Sequence, residues 1–380
     1  MASLRENGMK LIVTIPAQNE EKTIAQVVRG IPRQIPGIDE TEVIVIDDAS
    51  TDCTAQRAQD AGAVVIRLRH RPGLGQVFRA GFERAMRRGA DIIVNIDGDG
   101  QFDPADIPRL IAPILADEAD FVTCSRFADP TMRPTMPLLK YWGNLAVRGI
   151  INWVCGGTRF TDVSCGFRAF NREAAYRLTL FGRYTYTQET FIDLFAKGVR
   201  IAEVPLAVRG VREHGKSRVA GSVIKYAMNS LPIILRAMRD IQPLKFFGGI
   251  ALILGVIGVA CGLFITVWYF QRLKTGPFTS LIPISGIFLT LSFLLGVLAL
   301  LADMMGRHRR ISEELLYLAR RRIHTTRRPV RASVPGGENG EAAPTFHDTW
   351  SLPAPQPTDP PEPAEEPSSH QRVAPVNRAI

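Results

Sequence analysis

Asp97-Gly98-Asp99-Gly100-Gln101 directly follows Ile92-Ile93-Val94-Asn95-Ile96, a run that reads as a buried strand. Two carboxylates at i and i+2, just past a strand end, can both reach one hard cation. Oxygen donors of this kind suit Mg2+ or Mn2+, and both ions also take oxygens from a substrate diphosphate. The two glycines let the backbone turn, and Gln101 is a candidate third oxygen. An acidic surface turn has the same composition, so the motif gains weight only from what surrounds it.

What surrounds it is a series of strands that also end in polar clusters. Leu11-Ile12-Val13-Thr14-Ile15 runs into Pro16-Ala17-Gln18-Asn19-Glu20, and Val43-Ile44-Val45-Ile46 runs into Asp47-Asp48-Ala49-Ser50-Thr51-Asp52. A third strand over Ala63 to Leu68 precedes Gly73-Leu74-Gly75, and a further one lies near Asp120 to Cys124. Helical patterns start from about Glu21, Thr54 and Gln76 between them. This rhythm predicts an α/β fold with a mostly parallel sheet. Ligands of such sheets bind beyond the carboxyl ends of the strands, where every one of these clusters falls. The Asp48 loop can hydrogen-bond a ribose or a base edge. Asp48 and Ser50 also have the composition of a helix cap. Gly-Leu-Gly permits close backbone approach but lacks the full dinucleotide fingerprint.

Taken in order, these pieces resemble family 2 glycosyltransferases with the GT-A fold, and within them the polyprenyl-phosphate glycosyltransferases, the group that includes dolichol-phosphate mannose synthase. The resemblance spans roughly residues 9 to 305. Two further signatures carry it, Ser125-Arg126-Phe127 and Asp162-Val163-Ser164-Cys165-Gly166-Phe167-Arg168. It implies that Pro16, Asn19, Glu20 and Asp48 line a nucleotide pocket. It implies that Asp97, Asp99 and Gln101 hold Mg2+ or Mn2+ against the donor diphosphate, and that Arg126 stands near an acceptor phosphate. Cys165 falls where the family has Ser, and a thiol is the poorer hydrogen-bond partner. Arg168 reads either as a phosphate ligand or as a brace for its loop.

Downstream, Gln188-Glu189 stands where many GT-A enzymes carry a catalytic carboxylate, although a helix start also favours Glu. Arg209, Arg212, His214, Lys216 and Arg218 follow the strand ending at Val204-Pro205. The resemblance implies that Arg209, Lys216 and Arg218 close over the donor. His214-Gly215-Lys216-Ser217-Arg218 ends in Arg where the family has Lys, which keeps the charge and changes the geometry of a phosphate contact. A solvated basic loop at a membrane face is the plainer account of the same residues.

Charge and hydropathy place this chemistry at a bilayer. The chain has 380 residues and a formal net charge of +9. Phe246 to Phe270 and Phe278 to Ala302 contain no charged residue, and each exceeds the roughly 20 residues that cross a bilayer as a helix. Met1 to Lys10 has no apolar signal core. Arg236, Arg239 and Lys245 before the first run, and Arg307, Arg309 and Arg310 after the second, favour both ends on the cytoplasmic side; Arg272 and Lys274 weaken that bias. The expected localisation is therefore a multi-pass cell-membrane protein with the catalytic domain and both termini cytoplasmic. A basic face at an anionic membrane accounts for the net charge, and no nucleic-acid-binding motif is present. The five cysteines show no paired metal spacing.

The expected organisation is a GT-A catalytic domain over 1–221, an amphipathic membrane-surface helix over 222–245, and two transmembrane helices over 246–303. A basic juxtamembrane helix follows over 304–328, then a disordered Pro-rich tail over 329–380. The Ser222 to Asp240 stretch also reads as an ordinary domain helix. The expected reaction is transfer of one sugar from a UDP- or GDP-linked donor to dolichyl or undecaprenyl phosphate. The resemblance implies inversion. A phosphate acceptor is already ionised and needs no general base, whereas a lipid or glycan hydroxyl, the alternative acceptor, would need one. A catalytically silent membrane protein is the third reading, opposed by the intact Asp97/Asp99 pair. Self-association is compatible with all of these features.

Overall fold

The computed structural model describes residues 8–68, 73–134, 136, 138–180, 186–209, 235, 239 and 243–326. Seven strands form one sheet in the order β3-β2-β1-β4-β6-β5-β7. These are β1 (Lys10–Ala17), β2 (Glu40–Asp47), β3 (Val64–Arg67), β4 (Ile92–Asn95), β5 (Phe121–Ser125), β6 (Arg168–Asn171) and β7 (Ile201–Pro205). The first four are mutually parallel, with Leu11 opposite Ile92 and Ala17 opposite Asp47. Strand β6 is antiparallel to both neighbours, and β5 is again parallel to β7. The sheet is thus the mostly parallel one expected, with one reversed strand, β6, fifth in the order. The chain leaves β1 for β2 on one side and returns to β4 on the other. The crevice of such a sheet opens at this switch, beyond the ends of β1 and β4.

Alternation along the strands builds two core layers, because successive side chains point to opposite faces. Ile12, Ile44, Ile46 and Ile93 point to one face, where α3 (Leu74–Arg87), α5 (Leu138–Val154), α6 (Arg172–Arg177) and α7 (Thr187–Ala196) cover them. Leu11, Val13, Ile15, Val43, Val45 and Val94 point to the other, under α1 (Ile24–Gly30), α2 (Thr54–Asp60) and α4 (Ile107–Leu115). Helix α3 shows why sequence makes these contacts: Val77, Phe78, Phe82, Ala85 and Met86 recur on one side of a 3.6-residue turn and are all buried. The Val, Phe and Met side chains among them contribute roughly 1.5–3 kcal/mol each by leaving water.

Two long helices follow, α8 (Pro243–Arg272) and α9 (Leu281–Thr326). Both are long and apolar enough to cross a membrane, and only 11% of each apolar window is buried within the protein. A core helix of a soluble protein would be covered; these two leave their apolar surface open, as helices that could span a membrane do. Ser285 Oγ donates to the Gly258 carbonyl at 2.7 Å and Ser292 Oγ to that of Ala251 at 2.7 Å, which ties the hairpin through polar contacts inside an apolar pair. The second apolar run and the basic stretch after it are one unbroken helix of 46 residues. Its far end reaches the sheet domain. Arg320 Nη1 donates to the carbonyls of Tyr176 at 3.1 Å and Leu178 at 2.7 Å, and the Tyr317 hydroxyl bonds Glu173 Oε2 at 3.1 Å. The Lys197 ammonium bridges Asp193 at 2.9 Å and Glu313 at 3.5 Å.

Candidate active site

The Asp97 loop is fixed from three sides. Thr23 Oγ1, at the entrance of α1, donates to the Gly98 carbonyl at 2.7 Å. Gly100 turns the chain with φ +75°, and the Gln101 amide then donates to Asp99 Oδ1 at 3.0 Å. Gln101 and Arg209 bond reciprocally: the Gln101 side-chain amide donates to the Arg209 carbonyl at 3.1 Å, and Arg209 N donates to the Gln101 carbonyl at 3.0 Å. The segment just after β7 is thereby tied to the Asp97 loop.

The loop leading into β6 supplies the third side. A Cβ built on Gly166 would sit 2.8 Å from Asp97 Oδ2 and 3.2 Å from Oδ1, so the Asp97 carboxylate lies flush on a backbone that only glycine leaves open. Asn95 holds that backbone in place, donating from Nδ2 to the Gly166 carbonyl at 3.0 Å and to the Tyr186 hydroxyl at 2.8 Å. Tyr186 stacks on Phe78 of α3 with ring centroids 4.0 Å apart. Asp97 and Asp99 are thereby presented as a rigid pair at a strand end. Among the described residues no three His, Cys, Asp or Glu side chains converge as a complete cage. Two fixed carboxylates with an adjacent amide fit Mg2+, or Mn2+ with its similar oxygen preference, if the remaining positions are filled by phosphate and water.

The two loops beyond β1 and β2 are knitted to each other. Asn19, at φ 51°, donates from its backbone to Ser50 Oγ at 2.9 Å and accepts from Thr51 N at 2.8 Å. Glu20 N donates to Thr54 Oγ1 at 2.8 Å, and the Glu20 carbonyl takes the amides of Thr23 and Ile24. Gln18 Nε2 donates to the Asp48 carbonyl at 3.0 Å and to Asp48 Oδ2 at 3.3 Å. Ser50 thus joins loop to loop. It is Asp52 that receives the amide at the start of α2, from Thr54 at 3.0 Å. Pro16 is buried within β1, opposite Ile46. Asn19, Glu20 and Asp48 are half-buried in the loops just beyond the ends of β1 and β2.

Arg126 is held by Asp162 in a two-pronged pair, Nε to Oδ2 at 2.6 Å and Nη2 to Oδ1 at 2.9 Å, with Arg126 N also on Oδ2 at 3.1 Å. The Arg126 side chain is 14% exposed and that of Asp162 1%. Burial opposes ionisation of Asp162, but the adjacent guanidinium outweighs it and keeps the carboxyl below the usual range. The Nη1 corner of Arg126 makes no hydrogen bond among the described residues. Behind the pair, Glu203 of β7 accepts from Thr161 N at 2.7 Å and Asp162 N at 2.8 Å. Burial pushes the Glu203 carboxyl up against the pull of those bonds.

Cys165 is buried beside Cys124 in the core layer that also holds Phe167, so its thiol faces the interior. Arg168 is fully buried and donates to three carbonyls, Cys165 at 2.7 Å, Thr187 at 2.9 Å and Val163 at 3.3 Å. It sits over the rings of Phe121, Tyr186 and Phe191, and burial lowers its pKa. Arg168 is the brace of its loop. Gln188 opens α7 and donates to Ser164 Oγ at 3.3 Å, which places Glu189 in the first turn beside that loop. Arg212, His214, Lys216 and Arg218 lie outside the described residues, as does most of the Ser222 to Asp240 stretch and all of 329–380. Sequence reading passed over Asn95, Tyr186 and Glu203. Only Glu203 left a signal, a carboxylate at the centre of the apolar strand Ile201-Ala202-Glu203-Val204-Pro205.

Residues 12–179 match the glycosyl transferase family 2 profile. The UDP-N-acetylglucosamine–dolichyl-phosphate N-acetylglucosaminyltransferase of Methanococcus voltae is 33% identical over 218 residues, 52% of this chain and 85% of that protein. The undecaprenyl-phosphate mannosyltransferase of Micrococcus luteus is 28% identical over 236 residues, 58% of this chain and 91% of that one. The chain belongs to glycosyl transferase family 2. It is a glycosyltransferase whose sheet domain is of the GT-A type, and its relatives include transferases named for polyprenyl-phosphate acceptors. Among solved structures, glucosyl-3-phosphoglycerate synthase from Mycobacterium tuberculosis in complex with Mn2+, uridine-diphosphate and phosphoglyceric acid is 26% identical. That similarity covers 61% of this chain and 78% of that one, at a TM-score of 0.47. This likeness is too loose to carry residue roles across.

Proposed function

We propose that this glycosyltransferase moves one sugar from a UDP- or GDP-linked donor to the phosphate of a polyprenyl phosphate, dolichyl or undecaprenyl, with inversion, at the cytoplasmic membrane face. The observation that carries the reading is the rigid Asp97/Asp99 pair at the sheet's switch point, with Gly166 left bare beneath Asp97. The names of the relatives and the two helices long and apolar enough to cross a membrane support the acceptor class. The domain limits proposed are 1–221 for the catalytic domain, 222–245 for a surface helix, 246–303 for the spans, 304–328 for the juxtamembrane helix and 329–380 for the tail.

In this reading Pro16, Asn19, Glu20 and Asp48 hold the nucleotide, and Asp97, Asp99 and Gln101 would hold Mg2+ or Mn2+. A bound divalent ion supplies Lewis-acid stabilisation of charge on the departing diphosphate. Arg209, with Lys216 and Arg218, adds cationic donors to that charge. Asp162 holds Arg126 so that its remaining Nη1 corner meets the acceptor phosphate as a positioned cation. The acceptor oxygen is already ionised, so Glu189 orients and abstracts no proton.

The test is a transfer assay on the detergent-purified full chain, offering undecaprenyl or dolichyl phosphate and a panel of UDP- and GDP-sugars with and without Mn2+. Mass spectrometry of the extracted lipid should show a metal-dependent lipid monophosphate-sugar from one donor, in wild type and in Glu189→Gln alike. Donor turnover with unmodified lipid phosphate, or loss of transfer in Glu189→Gln with metal binding intact, would move the acceptor to a hydroxyl.

A further inference from the structure

Helix α5 is apolar on two opposite faces. Val147, Ile150, Ile151 and Val154 pack into the core layer beneath the sheet. On the other side Leu138 is 77% exposed, Trp142 65% and Trp153 58%, with Ala146 and Gly149 exposed between them. At about 100° per residue these five positions fall within about 80° of arc, so they form one stripe roughly 22 Å long. A helix with apolar residues on both sides needs cover on both. Among the described residues, nothing covers this one.

Charge says which cover fits. From Thr131 to Thr161 the chain holds Arg133, Lys140, Arg148 and Arg159 and neither Asp nor Glu. Arg133 lies over the Tyr141 ring at 5.7 Å, at the start of the helix. A second copy of this segment would bring like charge against like. An anionic leaflet attracts a segment with cations and no carboxylates, and tryptophans of this kind settle at the boundary between headgroups and acyl chains. Two helices of membrane-crossing length in the same chain bring a bilayer within reach.

We infer that α5 lies in the interface of an anionic leaflet with Trp142 and Trp153 inserted at the headgroup boundary. Tyr141 packs on Phe127 at 6.0 Å, so the strand-end loop that carries Arg126 is set down at the lipid surface. The inference rests on the surface itself and holds whichever acceptor the enzyme uses.

The experiment is lipid quenching of tryptophan emission. The chain has four tryptophans; Trp153, Trp268 and Trp350 are changed to Phe, leaving Trp142, and a companion variant keeps Trp153 instead. Each is reconstituted into phosphatidylcholine and phosphatidylglycerol bilayers with or without bromine in the upper acyl chain, matching a depth of roughly 5–10 Å. Loss of emission in brominated bilayers, with little quenching by aqueous acrylamide, is the expected result. Emission indifferent to bromine overturns the inference, whether acrylamide quenches it or protein shields it. Photolabelling of the wild-type chain with a diazirine phosphatidylglycerol checks the same point without substitutions. Label on the peptide spanning 138–153 supports the inference, and label confined to α8 and α9 overturns it.

Discussion

Gly166 has no side chain of its own in the site, yet it decides how Asp97 sits. Gly166→Ala would drive a methyl group to 2.8 Å from Asp97 Oδ2, and the carboxylate would have to turn. The expected loss is about 10–100-fold in Mn2+ affinity, the range for a residue that orients a metal ligand, with the melting temperature little changed. Electron paramagnetic resonance titration of Mn2+ measures it, and unchanged affinity would separate Gly166 from the site. Arg168 carries the opposite prediction. Its planar fork serves three buried carbonyls that a single ammonium cannot reach together. Arg168→Lys should cost about 3 kcal/mol of stability, read as a lower melting temperature. Mn2+ affinity should fall no more than unfolding explains. Sequence could present Arg168 only as ligand or brace, because its motif does not say which way the side chain turns. Cys165 resolved likewise: the departure from Ser is visible in the string, but only the packing beside Cys124 shows that the thiol faces inward.

The elements that position the site were legible wherever an apolar run and a polar end coincide. Strands β1, β2 and β4 and the helices after β1 to β3 read directly from period and punctuation. Strand β6 did not. It is four residues long and begins at a buried Arg just after Gly166-Phe167, so neither alternation nor an apolar run announces it. Its pairing comes from β4 and β5 on either side, a tertiary cause that local pattern cannot carry. The far end of α9 was legible as a basic helix, but its docking was not. There, Asp193 of α7 is buried between Lys197 and Glu313. Burial pushes its pKa from 3.8 up to about 6, with Lys197 pulling down and Glu313 adding to the rise. Between those values the folded chain holds more protons than the unfolded one. The contribution of this carboxyl is therefore full below the unfolded pKa and is lost as pH rises through about 6. From about pH 4 to about pH 7, wild type should lose on the order of 3 kcal/mol of stability relative to Asp193→Asn. Melting temperatures of the solubilised full chain at a series of pH values test this, and parallel curves would show that Asp193 does not titrate there.

At the scale of the molecule, the far end of α9 ties the apolar hairpin back to the sheet domain by contact. Arg320, Tyr317 and Glu313 grip α6, Lys197 at the end of α7 and the Leu178 carbonyl from a helix that begins at Leu281. An unbroken helix of 46 residues is a rod of about 70 Å, and each residue advances it by about 1.5 Å and turns it by about 100°. The chain therefore carries a phase as well as a length. One residue inserted between Asp303 and Arg307 would swing the gripping side chains about a quarter-turn off their partners. Seven inserted residues would bring them back to within about 20° while lifting the domain about 10 Å. The single insertion should make residues 310–324 exchange amide hydrogens faster, and the seven-residue insertion should restore protection. Equal protection in both would mean the rod has no phase to keep. Substitutions along this helix are absorbed one contact at a time; a shift of reading along its axis is felt by every contact at once.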